Sequence, residues 1–310
     1  MKSLIKVTET LRSRGAAQVF LCALGLFALG GAFAPEDLAP ALFSGWVFFL
    51  LLAVFTAGLS GALFRWAASL RGTAAWGRFL LHAGVLLVIA GAAFNAKLSR
   101  EWLLEVIEGQ ALPLPGSDAS VRLDRFHPFY RTGGWHKGAA AGLTFFENGS
   151  SKPAIVYVNK PAGVGGLSIM LDKHGFAPLL RVSGLSGGPL IDAFVSLKTE
   201  LGETVSYQRS VNIPGTARWL RLDFKPSAKG YFATDPAVKA ALAEDGKILA
   251  EGIVRPGRPA VLSGYKVSFD EVRYWAGLQV RKDPALALVY AGFLISMAGA
   301  SLCFWRILWT

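Results

Sequence analysis

The stretch FLLHAGVLLVIAGAAFNA, residues 79–96, holds eighteen positions with no Asp, Glu, Lys or Arg, and one histidine, His82. A helix needs about 20 mostly apolar residues to cross about 30 Å of hydrocarbon. The run therefore reads as a short membrane span. Three further stretches, 16–34, 43–64 and 285–305, are equally free of charge. Together the four hold 80 of the 310 residues, so all 53 charged side chains fall on the remaining 230. That remainder carries charge at about the density of an ordinary soluble protein. The sequence thus predicts an α+β membrane protein. Four transmembrane helices would carry one mainly-β, sandwich-like domain inserted between helices three and four.

The boundaries follow from the charge-free runs. Residues 1–15 form a basic N-terminus, and 16–96 contain three spans (16–34, 43–64, 79–96). Residues 97–284 form the β-rich domain, 285–305 the fourth span and 306–310 a short tail. Ala32-Phe33-Ala34 imitates a signal-peptidase site, but Pro35 follows it directly and the apolar run is long for a signal, so the first span is read as retained. In MKSLIKVTETLRSR, Leu4, Val7 and Leu11 share one helical face. This predicts either an amphipathic segment along membrane lipid or a frayed basic end.

Lys and Arg near spans mark the cytoplasmic side. Lys2, Lys6, Arg12 and Arg14 precede the first span, and Arg65, Arg71 and Arg78 separate the second from the third, whereas the first loop has Glu36 and Asp37. The expected arrangement is a multi-pass membrane protein with both termini cytoplasmic and 97–284 on the outer side. On this topology the net +11 is largely orientation signal. The domain's cations are scattered, which excludes nucleic acid as a partner.

Within 97–284 the pattern has period two. Leu220, Leu222 and Phe224 alternate with Arg221, Asp223 and Lys225; Tyr265, Val267 and Phe269 alternate with Lys266, Ser268 and Asp270. AIVYVN (154–159), LSIML (167–171) and IDAFVSL (191–197) read as further strands around one core. Asn148-Gly149, PAGVGG, SGLSGG and RPGRP supply turns. One helix is expected, with Asp235 as N-cap, Pro236 at its first position and Gly246 closing it.

Much chemistry is excluded. Cys22 and Cys303 both lie in spans, so there is no thiol-exchange pair and no c-type haem attachment motif. No Walker lysine, complete dinucleotide fingerprint or nucleophile elbow is present. His127, His136 and His174 lack ligand spacing and read as surface histidines. His82 stands apart because ionisable residues in spans point to function by default. It is either a ligand for haem iron or a neutral histidine bonding a neighbouring helix. Arg78, four residues earlier on the same helical face, could pair with a haem propionate. Small residues recur at four-residue spacing (Ala53, Ala57, Gly61; Gly292, Ser296, Ala300), which allows close helix packing.

The layout resembles the ResB (CcsB) family of cytochrome c biogenesis proteins. SGWVFFLLLAVFTAGLSGALFR (44–65) resembles its second span, with Gly61 where a cysteine often stands. RFLLHAGVLLVIAGAAF (78–94) resembles its third. The most specific match is Gly277-Leu278-Gln279-Val280 through Asp283-Pro284, then Val289-Tyr290 and Gly292-Phe293. The middle of the domain, about 110–260, is similar only in character and is shorter. The resemblance implies a subunit of a cytochrome c haem lyase complex, not catalytic alone, in which no residue of this chain has a catalytic role. It implies that haem b passes across the membrane with a ResC/CcsA-type tryptophan-rich partner for attachment to apocytochrome c, with thiol-reducing proteins involved indirectly. It places an axial haem ligand at His82, the chain's one iron-contacting residue. The nine tryptophans are dispersed, so both halves are not fused here. The competing expectation is a cofactor-free, membrane-anchored scaffold whose β-domain binds another envelope protein; a transporter fits poorly, since inverted repeats and broken helices are missing.

Overall fold

A computed structural model describes residues 46–308 except 69, 131–135, 185–186, 201–205 and 226–235, with scattered positions before 46. The first expected span, 16–34, the amphipathic N-terminus and Asp235 lie largely or wholly outside the described residues. Three described helices are long and apolar enough to cross a membrane: α1 (Trp46–Ala67), α2 (Thr73–Leu98) and α3 (Leu286–Leu308, spanning length Leu286–Phe304). The chain divides into two compact units, 1–99 with 283–310, and 100–282.

In the helical unit, α2 and α3 are tightly apposed and antiparallel. Gly77, Gly84 and Gly91, spaced by seven, are the buried residues of α2, and Gly292 and Gly299 face them. A Cβ at Gly84 would lie 2.5 Å from the Gly292 carbonyl oxygen, and one at Gly299 only 2.2 Å from the Leu81 nitrogen. Backbones this close gain dispersion along their whole length, which is how helices associate where apolar burial gives no drive. Ser296 Oγ donates to the Leu81 carbonyl across the contact at 3.2 Å. Of the small-residue sets read from the sequence, Gly292 and Ser296 lie on this seam, with Gly299 completing it in place of Ala300. Ala53 and Ala57 of α1 are exposed.

The β-rich unit contains fifteen described strands in three antiparallel sheets. The first is built on β1 (Arg100–Ile107), β15 (Tyr265–Lys282), β7 (Leu167–Gly184) and β6 (Ala162–Val164), joined by β8 (Pro189–Phe194) and β14 (Ala260–Leu262). The second comprises β2 (Ala111–Pro113), β3 (Ser120–Tyr130), β4 (His136–Glu147) and β5 (Ser150–Tyr157). The third runs β13 (Lys247–Val254), β12 (Ala237–Glu244), β11 (Arg218–Lys225), β10 (Ser206–Asn212) and β9 (Lys198–Glu200).

The single core expected from the sequence is two. One gathers Leu123, Leu143, Phe145, Ile169, Leu171, Leu278 and Val280 between the first and second sheets. The other gathers Phe176, Leu180, Leu220, Leu222, Phe224, Val267 and Phe269 between the first and third. The 18-residue strands β7 and β15 serve both. Along β7 the core positions change from odd (167, 169, 171) to even (176, 180, 182), and along β15 from odd (267, 269) to even (276, 278, 280). Pairing explains the shift. The register slips once between Phe269 and Val272, with an extra residue on β15, and once between Gly277 and Leu278, with an extra residue on β7. A bulge of one residue in each strand changes the alternation by one, so each strand can supply apolar side chains to both cores. Tyr274 packs against both, its ring 5.4 Å from Phe126 and 5.1 Å from Phe176.

The helix expected from 235 to 246 is a strand. Residues 237–244 form β12, hydrogen-bonded between β11 and β13. Alanine favours helix in isolation, but Val238, Ala240 and Leu242 alternate into the core opposite Phe224, Leu222 and Leu220. Tertiary pairing outweighs propensities of a few tenths of a kcal/mol per residue. Asp245 (φ 49°) and Gly246 (φ 77°) then form the hairpin turn, not a helix end. Asn148-Gly149 turns in the same way, as read from the sequence (φ 48° and 76°).

Candidate functional site

His82 lies in the N-terminal half of α2, half-buried. Its Nδ1 is 2.7 Å from the carbonyl oxygen of Arg78, one turn earlier. A carbonyl can only accept, so Nδ1 carries the proton and donates. In the neutral ring Nε2 then holds the lone pair, which is the form that binds a metal. A ligating histidine commonly gives its other N–H to a backbone carbonyl, which sets the tautomer and ring orientation. The indole of Trp66, near the end of α1, meets the imidazole edge to face, with ring centroids 4.8 Å apart and planes at 70°. Sequence reading missed Trp66. Its signal was only an aromatic residue just beyond an apolar run, and helix periodicity on one span says nothing about which neighbour it faces.

The structure therefore relates Arg78 and His82 directly, through the backbone of one and the ring of the other. The Arg78 guanidinium is exposed, a condition an anionic partner requires. Among the described residues, His127 and His174 gather no donor set. His127 is exposed, and the half-buried His174 places its ring 4.9 Å from Phe126. His136 begins β4, its side chain outside the described residues. No group of three or more His, Cys, Asp and Glu able to hold a metal occurs among the described residues.

At the other end of the α2–α3 pair, Asp283 Oδ1 accepts from Asn95 Nδ2 at 2.9 Å and from Ser99 Oγ at 2.8 Å. The Asp283 carbonyl accepts the Leu286 amide where α3 begins. The Asp-Pro pair singled out in the sequence thus ties the end of one helix to the start of the next. The preceding Gly277-Leu278-Gln279-Val280 occupies the middle of the first sheet, paired with β1 on one side and β7 on the other. Gln279 Nε2 donates to Glu101 Oε1 at 2.7 Å.

In the β-rich unit one ion-pair network joins β1 to β10. Arg209 Nη1 donates to Glu105 Oε2 at 3.0 Å and to the Ser196 carbonyl at 2.9 Å, while Ser196 Oγ donates to Glu105 Oε2 at 2.6 Å. Burial pushes the Glu105 carboxyl upward. The hydrogen bonds from Ser196 and Arg209 and the charges of Arg209 and Lys198 outweigh it, so the pKa lies below the ordinary value.

Comparison with known proteins identifies relatives. The cytochrome c biogenesis protein CcsB of Synechococcus sp. (strain CC9902) is 27% identical over 243 residues, covering 76% of this chain and 54% of the relative. The chain is similar to the CcsB cytochrome c biogenesis proteins. CcsB of Synechococcus sp. (strain CC9605) is 26% identical over 231 residues, 73% of this chain and 51% of that protein. CcsB of Prochlorococcus marinus (strain MIT 9303) gives 26% over 233 residues with the same coverages. The chain thus spans about half the length of the CcsB relatives it matches. No family model matches it. A solved structure titled Cytochrome c Heme Lyase CcmF is 14% identical and covers 93% of this chain and 34% of its own, with a TM-score of 0.32, too low to carry an argument.

Proposed function

We propose that this chain is a membrane subunit of cytochrome c assembly that holds haem b through Nε2 of His82 and hands it on with a ResC/CcsA-type partner for attachment to apocytochrome c. The observation that carries this reading is the bond from His82 Nδ1 to the Arg78 carbonyl, which leaves the ring's other nitrogen basic. Similarity to CcsB supports the cytochrome c biogenesis role, and three apolar helices of spanning length support the membrane. The positive-inside pattern supports cytoplasmic termini and a periplasmic β-rich domain.

When bound, haem and the client's cysteines supply the bond-forming chemistry. The chain's own residues hold and orient. Trp66 limits rotation of the imidazole, and the Arg78 carbonyl keeps its proton on Nδ1. The Arg78 guanidinium offers a counter-charge for a propionate. The glycine seam beside Leu81 fixes the height of α2 against α3 and with it the place of His82. The partner would complete the iron site.

The test is to purify the chain together with its partner from cells making cytochrome c, then compare haem content and absorbance of wild type and His82→Ala. The expected result is a tenfold or greater loss of haem at the site, with the absorbance changed in whatever remains. Unchanged haem content and ligation in the variant would refute the ligand assignment. A complex without haem in any preparation would instead favour the cofactor-free scaffold.

A further inference from the structure

A second place in the molecule has the chemistry of a binding site, and it is independent of His82. Beside β9 and β10 of the third sheet lies a cavity of about 430 Å³, lined by Lys198, Gln208, Arg209, Ser210 and Arg221. Among the described residues, the lining contains three cations and no carboxylate.

The hydrogen-bonding capacity is one-sided. Gln208 is the one side chain of the five with a carbonyl oxygen, and that oxygen already accepts from Arg221 Nη2 at 2.9 Å. The Gln208 amide nitrogen is turned to Ser206 Oγ at 3.0 Å. Arg209 is held through Nη1 by Glu105 and Ser196, so its guanidinium is fixed before any ligand arrives. Among the described residues, neither Lys198 nor Arg221 has a carboxylate within 4.0 Å. Glu105 pairs with one of these three cations. Asp223, opposite Gln208 in the strand register, is not part of the lining.

The described lining therefore presents an excess of N–H and O–H donors and three cations, one of them paired with Glu105. An arginine fixed in place loses less freedom on binding an oxyanion than a mobile one, and its planar fork suits carboxylate and phosphate alike. We propose that this cavity is an oxyanion site, taking a small polyanion whose carboxylate or phosphate oxygens only accept hydrogen bonds.

The experiment uses the full chain in nanodiscs of zwitterionic lipid, titrated calorimetrically with pyrophosphate and, separately, with succinate. Saturable binding of at least one probe, weakening as salt rises, is expected. Binding of pyrophosphate alone assigns a phosphate ligand, and of succinate alone a carboxylate. A charge-assisted hydrogen bond contributes enough that Lys198→Gln should lower affinity about tenfold, and adding Arg221→Gln about tenfold more. Arg218→Gln, which removes a cation paired with Glu244 on the same sheet, should leave affinity unchanged. Lys198 is exposed, so its single variant keeps the test valid if the double variant folds poorly. No saturable binding of either probe in the millimolar range would overturn the proposal, as would wild-type affinity in Lys198→Gln.

Discussion

Substituting Gly299 by alanine adds one methyl group at the tightest point between α2 and α3. That carbon would sit 2.2 Å from the Leu81 nitrogen, 2.7 Å from the Gly77 carbonyl oxygen and 2.7 Å from the Leu81 Cα. All three are backbone atoms, so no rotamer change relieves the clash. Reaching ordinary contact requires the helices to separate locally by about 1 Å, which forfeits a quarter to a half of each dispersion contact along the seam. Overpacking of this kind costs about 1–3 kcal/mol. The Ser296–Leu81 hydrogen bond, already 3.2 Å long, would stretch beyond bonding and add about 0.6 kcal/mol. The expected destabilisation is about 2–3 kcal/mol. It can be read as a shift in the midpoint of SDS-induced unfolding in mixed micelles, followed by circular dichroism. Gly58→Ala is the control, because a Cβ there meets nothing within 4 Å and its cost should be near zero. Leu81 adjoins His82, so on the proposed reading the displaced helix should also weaken haem retention. A Gly299→Ala protein within about 0.5 kcal/mol of wild type would refute the close-packed seam, as would an equal loss in Gly58→Ala.

Two further outcomes concern the polar ties. The Glu105 pKa is lowered on folding, so its contribution is fully present above the unfolded value of 4.5 and is lost as pH falls through the folded one. Thermal unfolding across pH 3–7 (about the carboxylate range) should show that Glu105→Gln costs about 1 kcal/mol near neutrality, after discounting for solvent screening, and much less in acid; a cost independent of pH would sink the assignment. At the end of the helix pair, Asp283→Ala should cost about 2–3 kcal/mol by leaving Asn95 Nδ2 and Ser99 Oγ without their acceptor. Asp283→Asn, which keeps one oxygen, should cost about half as much. Equal effects of the two in the same SDS titration would argue against the hydrogen-bonded tie.

The membrane spans were legible because hydrocarbon imposes a rule on composition alone, so charge-free runs mark helices without reference to any neighbour. α1, α2 and α3 follow those runs closely. Strands such as 220–224 and 265–269 were legible for a related reason, since period-two alternation is a local property. The segment 237–244 was misread because its alanines favour a helix locally, whereas its apolar alternation suits a strand. The choice came from Leu220, Leu222 and Phe224 on the neighbouring strand, far away in sequence until the sheet forms. The same limit hid the second core, which depends on two bulges that only strand pairing defines.

The candidate site divides in the same way. His82 could be picked out from sequence because an ionisable group in an apolar span is costly and therefore informative. Arg78 was placed on its face by helical spacing. That the Arg78 carbonyl takes the Nδ1 proton, that Trp66 meets the ring, and that Gly299 sets the height of α2 are contacts between atoms. Composition and periodicity report how each residue is solvated, and so the sequence by itself determined the three described helices of spanning length, many of the strands and the histidine set within one of those helices. Which backbones approach, which nitrogen stays basic and how many cores form depend on distances between residues remote in the chain, and only the tertiary structure decided them.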